Sequence, residues 1–269
     1  MRTMMDSLSP CELNILLVEP SAMQRKVISQ QLAKEDVTAV DQASNKQQAL
    51  DCIRSVRPDL VISSLHYEDG NAQELLHTLR NDPELEDLPF MLVSSETRRS
   101  ELEIFKQSGV VAILPKPFDR SHLGKALNST LDMLTQHEID LDLYDVQSLR
   151  VLVVDDSRMA RNVIQRVLRN LGIENLTEAA DGSIAIELLK ENNYDLVVTD
   201  YNMPEVNGVE LTEFIRNSNL HSHIPVMMVT SESNDAHLAN VAQSGVNAMT
   251  DKPFEPETVK RLLANLLDG

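Results

Sequence analysis

At 269 residues with a formal net charge of −18, the chain has room for two domains of ordinary size. A balance so dominated by carboxylates argues against nucleic acid or an anionic membrane as partner. Two cysteines without metal-ligand spacing, Cys11 and Cys52, exclude a disulfide scaffold and point to a reducing compartment.

Met1–Glu12 is polar and broken by Pro10, and reads as a flexible lead-in over residues 1–12. Leu13–Val18 is a short apolar run of the kind expected for a buried parallel strand. A helix is expected over Ala22–Lys34, then a weak strand near Thr38–Asp41, a helix at Lys46–Val56 and a strand at Leu60–Ser64. Next come a helix near Gln73–Asn81, a strand at Phe90–Ser94, a helix near Arg98–Ser108, a strand at Ala112–Leu114 and a helix over Arg120–Leu134. Residues 13–134 thus form one domain, and 135–148, acidic with scattered apolar residues, form a linker.

The order then repeats over residues 149–269. Strands are expected near Arg150–Val154, Asn175–Ala179, Leu196–Thr199, Val226–Thr230 and Ala248–Thr250, with helices in the intervals and a last one at Pro256–Leu267. Five strands alternating with helices, twice, indicate two α/β domains, each with a parallel sheet covered on both faces. Apolar runs reach at most five residues and the N-terminus lacks a signal-peptide core, so a cytoplasmic protein without a membrane span is expected.

The two halves are copies at an offset of 136 residues. It relates Ile15–Ser21 to Val151–Ser157, Asp59–Ser64 to Asp195–Asp200, Pro89–Glu96 to Pro225–Glu232, and Lys116-Pro117-Phe118 to Lys252-Pro253-Phe254. In an open α/β sheet, ligands bind outside the carboxyl ends of the strands. In the second half those ends carry Asp155 and Asp156, Asp200, Thr230 and Lys252. Three carboxylates so close repel one another unless a cation sits among them. An all-oxygen set without Cys or His favours Mg²⁺, with Mn²⁺ as a substitute.

These residues resemble the receiver domain of two-component response regulators: an Asp pair after strand one, a lone Asp on strand three, Thr on strand four, and Lys-Pro-Phe after strand five. The resemblance covers Leu149–Leu267 and implies flavodoxin-like (βα)5 doubly wound domains with strand order 2-1-3-4-5. It implies that Asp200 takes a phosphoryl group from a phosphohistidine, its carboxylate already ionised at neutral pH. Asp155 and Asp156 would hold Mg²⁺ with Asp200 and the backbone carbonyl of Asn202. Lys252 would neutralise phosphoryl charge, and Thr230 would move to the new phosphate as the switch. The Lys252–Pro253 bond is expected to be cis. The switch aromatic of the family is replaced by Met249, a flexible apolar residue able to fill the space Thr230 leaves. Asn202 and Glu232 stand at positions that tune phosphate lifetime, and the pair resembles that of chemotaxis-type receivers.

The same map on the first half gives Glu19, Pro20, Ser64, Ser94 and Lys116. Pro20 removes a carboxylate, and a serine without an adjacent base is a poor nucleophile. Lys116 is as compatible with a structural or docking role. Setting Gly70 against Gly208 makes the following loop two residues shorter than its counterpart. A degenerate pseudo-receiver is therefore expected, serving docking, dimerisation or autoregulation. The pair His221 and His223 has no third ligand and reads as a solvated loop.

The expected function is a response regulator without an effector domain. Its partners would be a histidine kinase or histidine phosphotransfer protein and a downstream protein, with a homodimer also compatible. A phosphate sink for a kinase and an Mg²⁺-dependent phosphatase or phosphotransferase with an Asp nucleophile are the alternatives. The second lacks support, because Asp200-Tyr201-Asn202 has no second Asp and no cap insertion is visible.

Overall fold

The computed structural model describes residues 8–96, 98–135, 139, 141, 145–231 and 244–267. The chain divides into two compact units, Met1–Thr135 and Gln136–Gly269.

The first unit runs β1 (Asn14–Val18), α1 (Ala22–Ala33), β2 (Ala39–Ala43), α2 (Lys46–Val56) and β3 (Leu60–Ser64). A small hairpin, β4 (His66–Tyr67) and β5 (Gly70–Asn71), precedes α3 (Ala72–Arg80). Then follow β6 (Phe90–Ser94), α4 (Arg99–Gln107), β7 (Ala112–Pro115) and α5 (Arg120–Leu134). The five main strands form a parallel sheet in the order β2-β1-β3-β6-β7.

The second unit repeats the plan with β8 (Arg150–Val154), α6 (Arg158–Asn170), β9 (Asn175–Ala179), α7 (Gly182–Glu191) and β10 (Leu196–Asp200). It continues with α8 (Gly208–Asn217), β11 (Val226–Thr230), β12 (Ala248–Asp251) and α9 (Pro256–Leu267). Its parallel sheet runs β9-β8-β10-β11-β12. Both are the doubly wound 2-1-3-4-5 arrangement expected of the sequence. The helix expected between β11 and β12 lies outside the described residues.

Central strands are buried end to end because helices cover both sheet faces. All five residues of β3, β6, β10 and β11 are buried, whereas the edge strands β2 and β9, reading AVDQA and NLTEA, are buried only at their last alanine. Polar residues at the ends of the central strands are therefore carried into the core by the strand. The register aligns Thr199 with Val154, Asp200 with Val229 and Thr230 with Asp251, so the chemistry-bearing ends of the second sheet share one edge.

The duplication extends to the helix caps. Ser21 and Ser157 cap α1 and α6 through their hydroxyls, Asn45 and Asp181 cap α2 and α7, and Asn71 and Asn207 cap α3 and α8. Each pair keeps the offset of 136, and each side-chain oxygen accepts an otherwise orphaned N–H of the first turn. This corrects the expected shorter loop: Ser64 to Asn71 and Asp200 to Asn207 have equal length. Gly70 belongs to the β4–β5 hairpin, with φ +148, and the counterpart of Gly208 is Ala72. The loops differ in shape, since the hairpin folds Tyr67 inward, where its hydroxyl hydrogen-bonds Ser63 Oγ.

Of the two flanking stretches, residues 8–12, 135, 139, 141 and 145–148 are described. Pro10–Glu12 forms a 3-10 turn in which Ser9 and Glu12 cap each other. Ile139 and Leu141 are buried, and the Ile139 N–H donates to the Leu171 carbonyl of the second unit at 3.0 Å.

Leu152 is fully buried in the core of the second unit with Val154, Val197, Leu211 and Val226. Leu152→Ala is expected to cost about 2–5 kcal/mol of that unit's stability, read by urea unfolding; a loss under about 1 kcal/mol would contradict this packing.

Candidate functional site

Four strand ends build the site of the second unit. Asp155 follows β8, Asp200 and Thr230 close β10 and β11, and Lys252 follows β12; their exposures are 0%, 1%, 1% and 4%. Lys252 Nζ donates to Asp155 Oδ2 at 2.7 Å and to Asp200 Oδ1 at 3.0 Å. The Ser157 N–H holds the other Asp155 oxygen at 2.8 Å, and Arg161 Nη1 donates to the Asp155 backbone carbonyl at 2.7 Å. The Lys252 N–H donates to the Thr230 carbonyl at 2.8 Å, which fixes where the lysine leaves the sheet. The Lys252–Pro253 bond is cis, as expected, and so is Lys116–Pro117.

Asp156 is exposed beside this pair, and carboxylate oxygens of Asp155, Asp156 and Asp200 lie within 4.8 Å of one another. Asp200 Oδ2 is buried and has no hydrogen-bond partner. Three carboxylates, one ammonium and an orphaned acceptor fit a hard divalent cation that takes oxygen ligands. Asn202 is exposed in the loop after β10, Met249 is half-buried on β12, and Glu232 lies outside the described residues.

The first unit keeps the frame and carries other residues at the matching positions. Glu19 takes the place of Asp155: Lys116 Nζ donates to its Oε2 at 2.7 Å and the Ser21 N–H to its Oε1 at 2.9 Å. Arg25 reaches the Glu19 carbonyl as Arg161 reaches that of Asp155, and the Lys116 N–H donates to the Ser94 carbonyl at 2.7 Å. Pro20 brings no carboxylate. Ser64 Oγ is buried at the end of β3 and has no hydrogen-bond partner. Among the described residues, the three-carboxylate cluster occurs only in the second unit. The expected solvated histidine loop is corrected in part: a turn from Ser218 to Ser222 folds His221 inward to 7% exposure, while His223 is exposed.

The response regulator receiver domain pattern matches residues 15–128 and again residues 151–264. The chain belongs to the response regulator receiver family. Chemotaxis protein CheY-3 of Vibrio cholerae is 38% identical over 122 residues, covering 45% of this chain and 94% of that protein. Chemotaxis protein CheY of Pseudomonas aeruginosa is 37% identical over 120 residues, covering 45% of this chain and 97% of that protein. A solved structure of Vibrio cholerae CheY4 aligns with a TM-score of 0.42 and 30% identity over 44% of this chain and 98% of its own. Two CheY-like receivers in tandem place the chain in two-component signalling, where receivers bind Mg²⁺ in an acidic pocket and interact with histidine kinases or phosphotransfer proteins. Among the described residues no helix is long and apolar enough to cross a membrane.

In the second receiver one ammonium faces two buried carboxylates. Burial pushes the Asp200 carboxyl up to about 7; Lys252 opposes that rise and Asp155 adds to it. Burial likewise raises Asp155 against the pull of Lys252. The same burial works against the Lys252 charge, yet Asp155 and Asp200 outweigh it and hold the lysine above its ordinary value. Burial thus works against the ionised form of Asp200 on which acceptor chemistry depends, and a cation among these oxygens would oppose that rise.

Two residues that shape the site were not singled out from the sequence. Arg161 anchors the Asp155 backbone from the first turn of α6. Gly208 starts α8 so close to the acceptor that a Cβ there would stand 2.2 Å from the Asp200 carbonyl oxygen. A glycine directly after the capping Asn207 was the available signal, lost when it was set against Gly70.

Because the folded pKa of Asp200 is raised, the folded state binds more protons than the unfolded chain between roughly pH 4 and 7. The carboxyl's contribution is therefore present below its unfolded pKa and lost as pH rises through about 7. Metal-free Asp200→Asn is expected to gain about 1–3 kcal/mol over the parent protein at pH 8 and little at pH 4.5, by urea unfolding. An equal gain at both pH values would contradict the buried-charge reading.

Proposed function

We propose that this chain is a response regulator in which the second receiver alone carries phosphotransfer, with Asp200 as acceptor. The observation that carries this reading is the unpartnered, buried Asp200 Oδ2 in a pocket of three carboxylates and one lysine. A phosphohistidine of a kinase or phosphotransfer protein is the donor: its P–N bond breaks as a P–O bond to the Asp200 carboxylate forms. Asp155, Asp156, Asp200 and the Asn202 backbone carbonyl would hold Mg²⁺. Bound there, the ion supplies charge neutralisation for the phosphoryl oxygens.

Lys252 shares that task, since its ammonium already bridges Asp155 and Asp200 and moves little to reach a phosphoryl oxygen. Asp155 positions the lysine and is itself fixed by Ser157 and Arg161. Thr230, buried at the neighbouring strand end, is the group to hydrogen-bond the new phosphate, and Met249 rather than an aromatic ring follows its movement. Glu232 and Asn202 set access of water to the acyl phosphate. The protein assists its own phosphorylation and hydrolysis without turning over an independent substrate.

The first receiver retains the fold and has lost the chemistry. Ser64 has no hydrogen-bond partner to take its proton, and Glu19 and Lys116 neutralise each other. Its role is carried by its surface, in docking, dimerisation or control of the second receiver.

The test is incubation with acetyl phosphate and Mg²⁺ followed by intact-mass measurement. One base-labile phosphate per chain is expected, abolished by Asp200→Asn, retained in Ser64→Ala and reduced at least about 100-fold in rate by Lys252→Ala. Labelling that survives Asp200→Asn, or multiple turnovers on small phosphate esters, would overturn the assignment.

A further inference from the structure

The strand-end pocket of the first receiver is not an empty remnant. A cavity of about 330 Å³ opens there, lined among others by Glu19, Ser64, His66, Ser94, Glu96 and Lys116. We propose that it is a metal-independent binding site for a small phosphate-type oxyanion, either inorganic phosphate or the phosphate group of a small phosphoester.

Charge balance is the first argument. The second receiver gathers three carboxylates around Lys252 and so needs a divalent cation before an anion can approach. In the first receiver, proline and serine replace two of those acids, leaving Glu19 paired with Lys116. Without any metal, the first pocket has the neutral balance that the second reaches only with one. An anion entering it meets no uncompensated carboxylate, because Glu96, the other acid of the lining, is paired with Arg98 at 2.7 Å.

Donor supply is the second argument. Both Glu19 oxygens are occupied, by the Ser21 N–H and by Lys116. Of the three N–H bonds on the Lys116 ammonium, one goes to Glu19, and the side chain is 24% exposed, open to a ligand. Ser94 Oγ accepts from the Glu96 N–H at 2.9 Å, which leaves its own proton to donate. Ser64 Oγ is 92% buried by residue and makes no hydrogen bond, a desolvated donor without an acceptor. Three donors from β3, β6 and the end of β7 therefore line one cavity, while both oxygens of its buried Glu19 carboxylate already accept a hydrogen bond. That is the complement of an oxyanion, and the volume leaves room beyond one phosphate for the remainder of a small ester.

The site is independent of phosphotransfer at Asp200, so its test uses the full chain carrying Asp200→Asn with EDTA present. Inorganic phosphate is titrated by calorimetry and by ³¹P line broadening, and glycerol 3-phosphate is titrated in parallel. One site per chain is expected, unchanged by EDTA. Lys116→Met is expected to weaken it at least about tenfold, and Ser64→Ala, which leaves the ion pair intact, about three- to tenfold. Glu19→Gln should strengthen binding, since it removes the competing carboxylate and frees Lys116. Tighter binding of the ester than of phosphate identifies an esterified ligand; equal binding identifies free phosphate. No saturable binding, loss of binding with EDTA, or affinity unmoved by both Lys116→Met and Ser64→Ala in folded protein overturns the proposal. Should Lys116→Met unfold, the opposite signs expected of Ser64→Ala and Glu19→Gln decide alone.

Discussion

Lys252 brings one positive charge into a pocket that holds two buried carboxylates, and the rest of the second receiver is arranged around that mismatch. The sheet forces it: β8 and β10 are paired neighbours, so the residues that end them are carried side by side out of solvent. Lys252 reaches both from the end of β12, and Ser157 and Arg161 hold Asp155 in place so that the lysine has a fixed partner. What remains is one carboxylate oxygen of Asp200 with nothing to bind. Burying an uncompensated charge is costly, and that cost pushes the Asp200 carboxyl up against the pull of Lys252. A divalent ion bound by these carboxylates would offset the same charge.

The first receiver shows the same frame with the mismatch removed. Its lysine, its acid after strand one, the arginine on the following helix and the caps of three helices all keep their places. The sheet is kept although two acids are absent: Ser64 closes β3 in register with Val93, and Pro20 lies beyond the end of β1. The two strand-end pockets thus share one frame and differ in charge: three carboxylates beside a lysine in the second, one glutamate beside a lysine at the matching positions of the first.

Much of this was legible in the sequence because parallel sheets write themselves plainly: apolar runs of four or five residues, each ended by a polar residue at the sheet edge. Asp155, Asp200, Thr230 and Lys252 could be placed by that rule alone, and the offset of 136 supplied their counterparts. The loop after β3 was misread because Gly70 and Gly208 look alike in sequence, whereas the helix caps Asn71 and Asn207 set the register. The partnership of Lys116 with Glu19 was not legible, since it joins residues 97 apart whose pairing depends on side-chain reach across β1, β3, β6 and β7. Nor was the upward shift of the Asp200 carboxyl, which follows from how completely α8 and the neighbouring strands bury it, and burial of that depth is a property of the packed core rather than of any local pattern.

On the proposed function, charge at the strand ends separates a receiver that needs a cation from one that needs none. Counting Mn²⁺ ions bound per chain, by electron paramagnetic resonance titration in place of Mg²⁺, tests it most directly. One ion per chain is expected, lost in Asp155→Asn and retained in Glu19→Gln. Two ions per chain, or loss of the single ion in Glu19→Gln, would contradict the account.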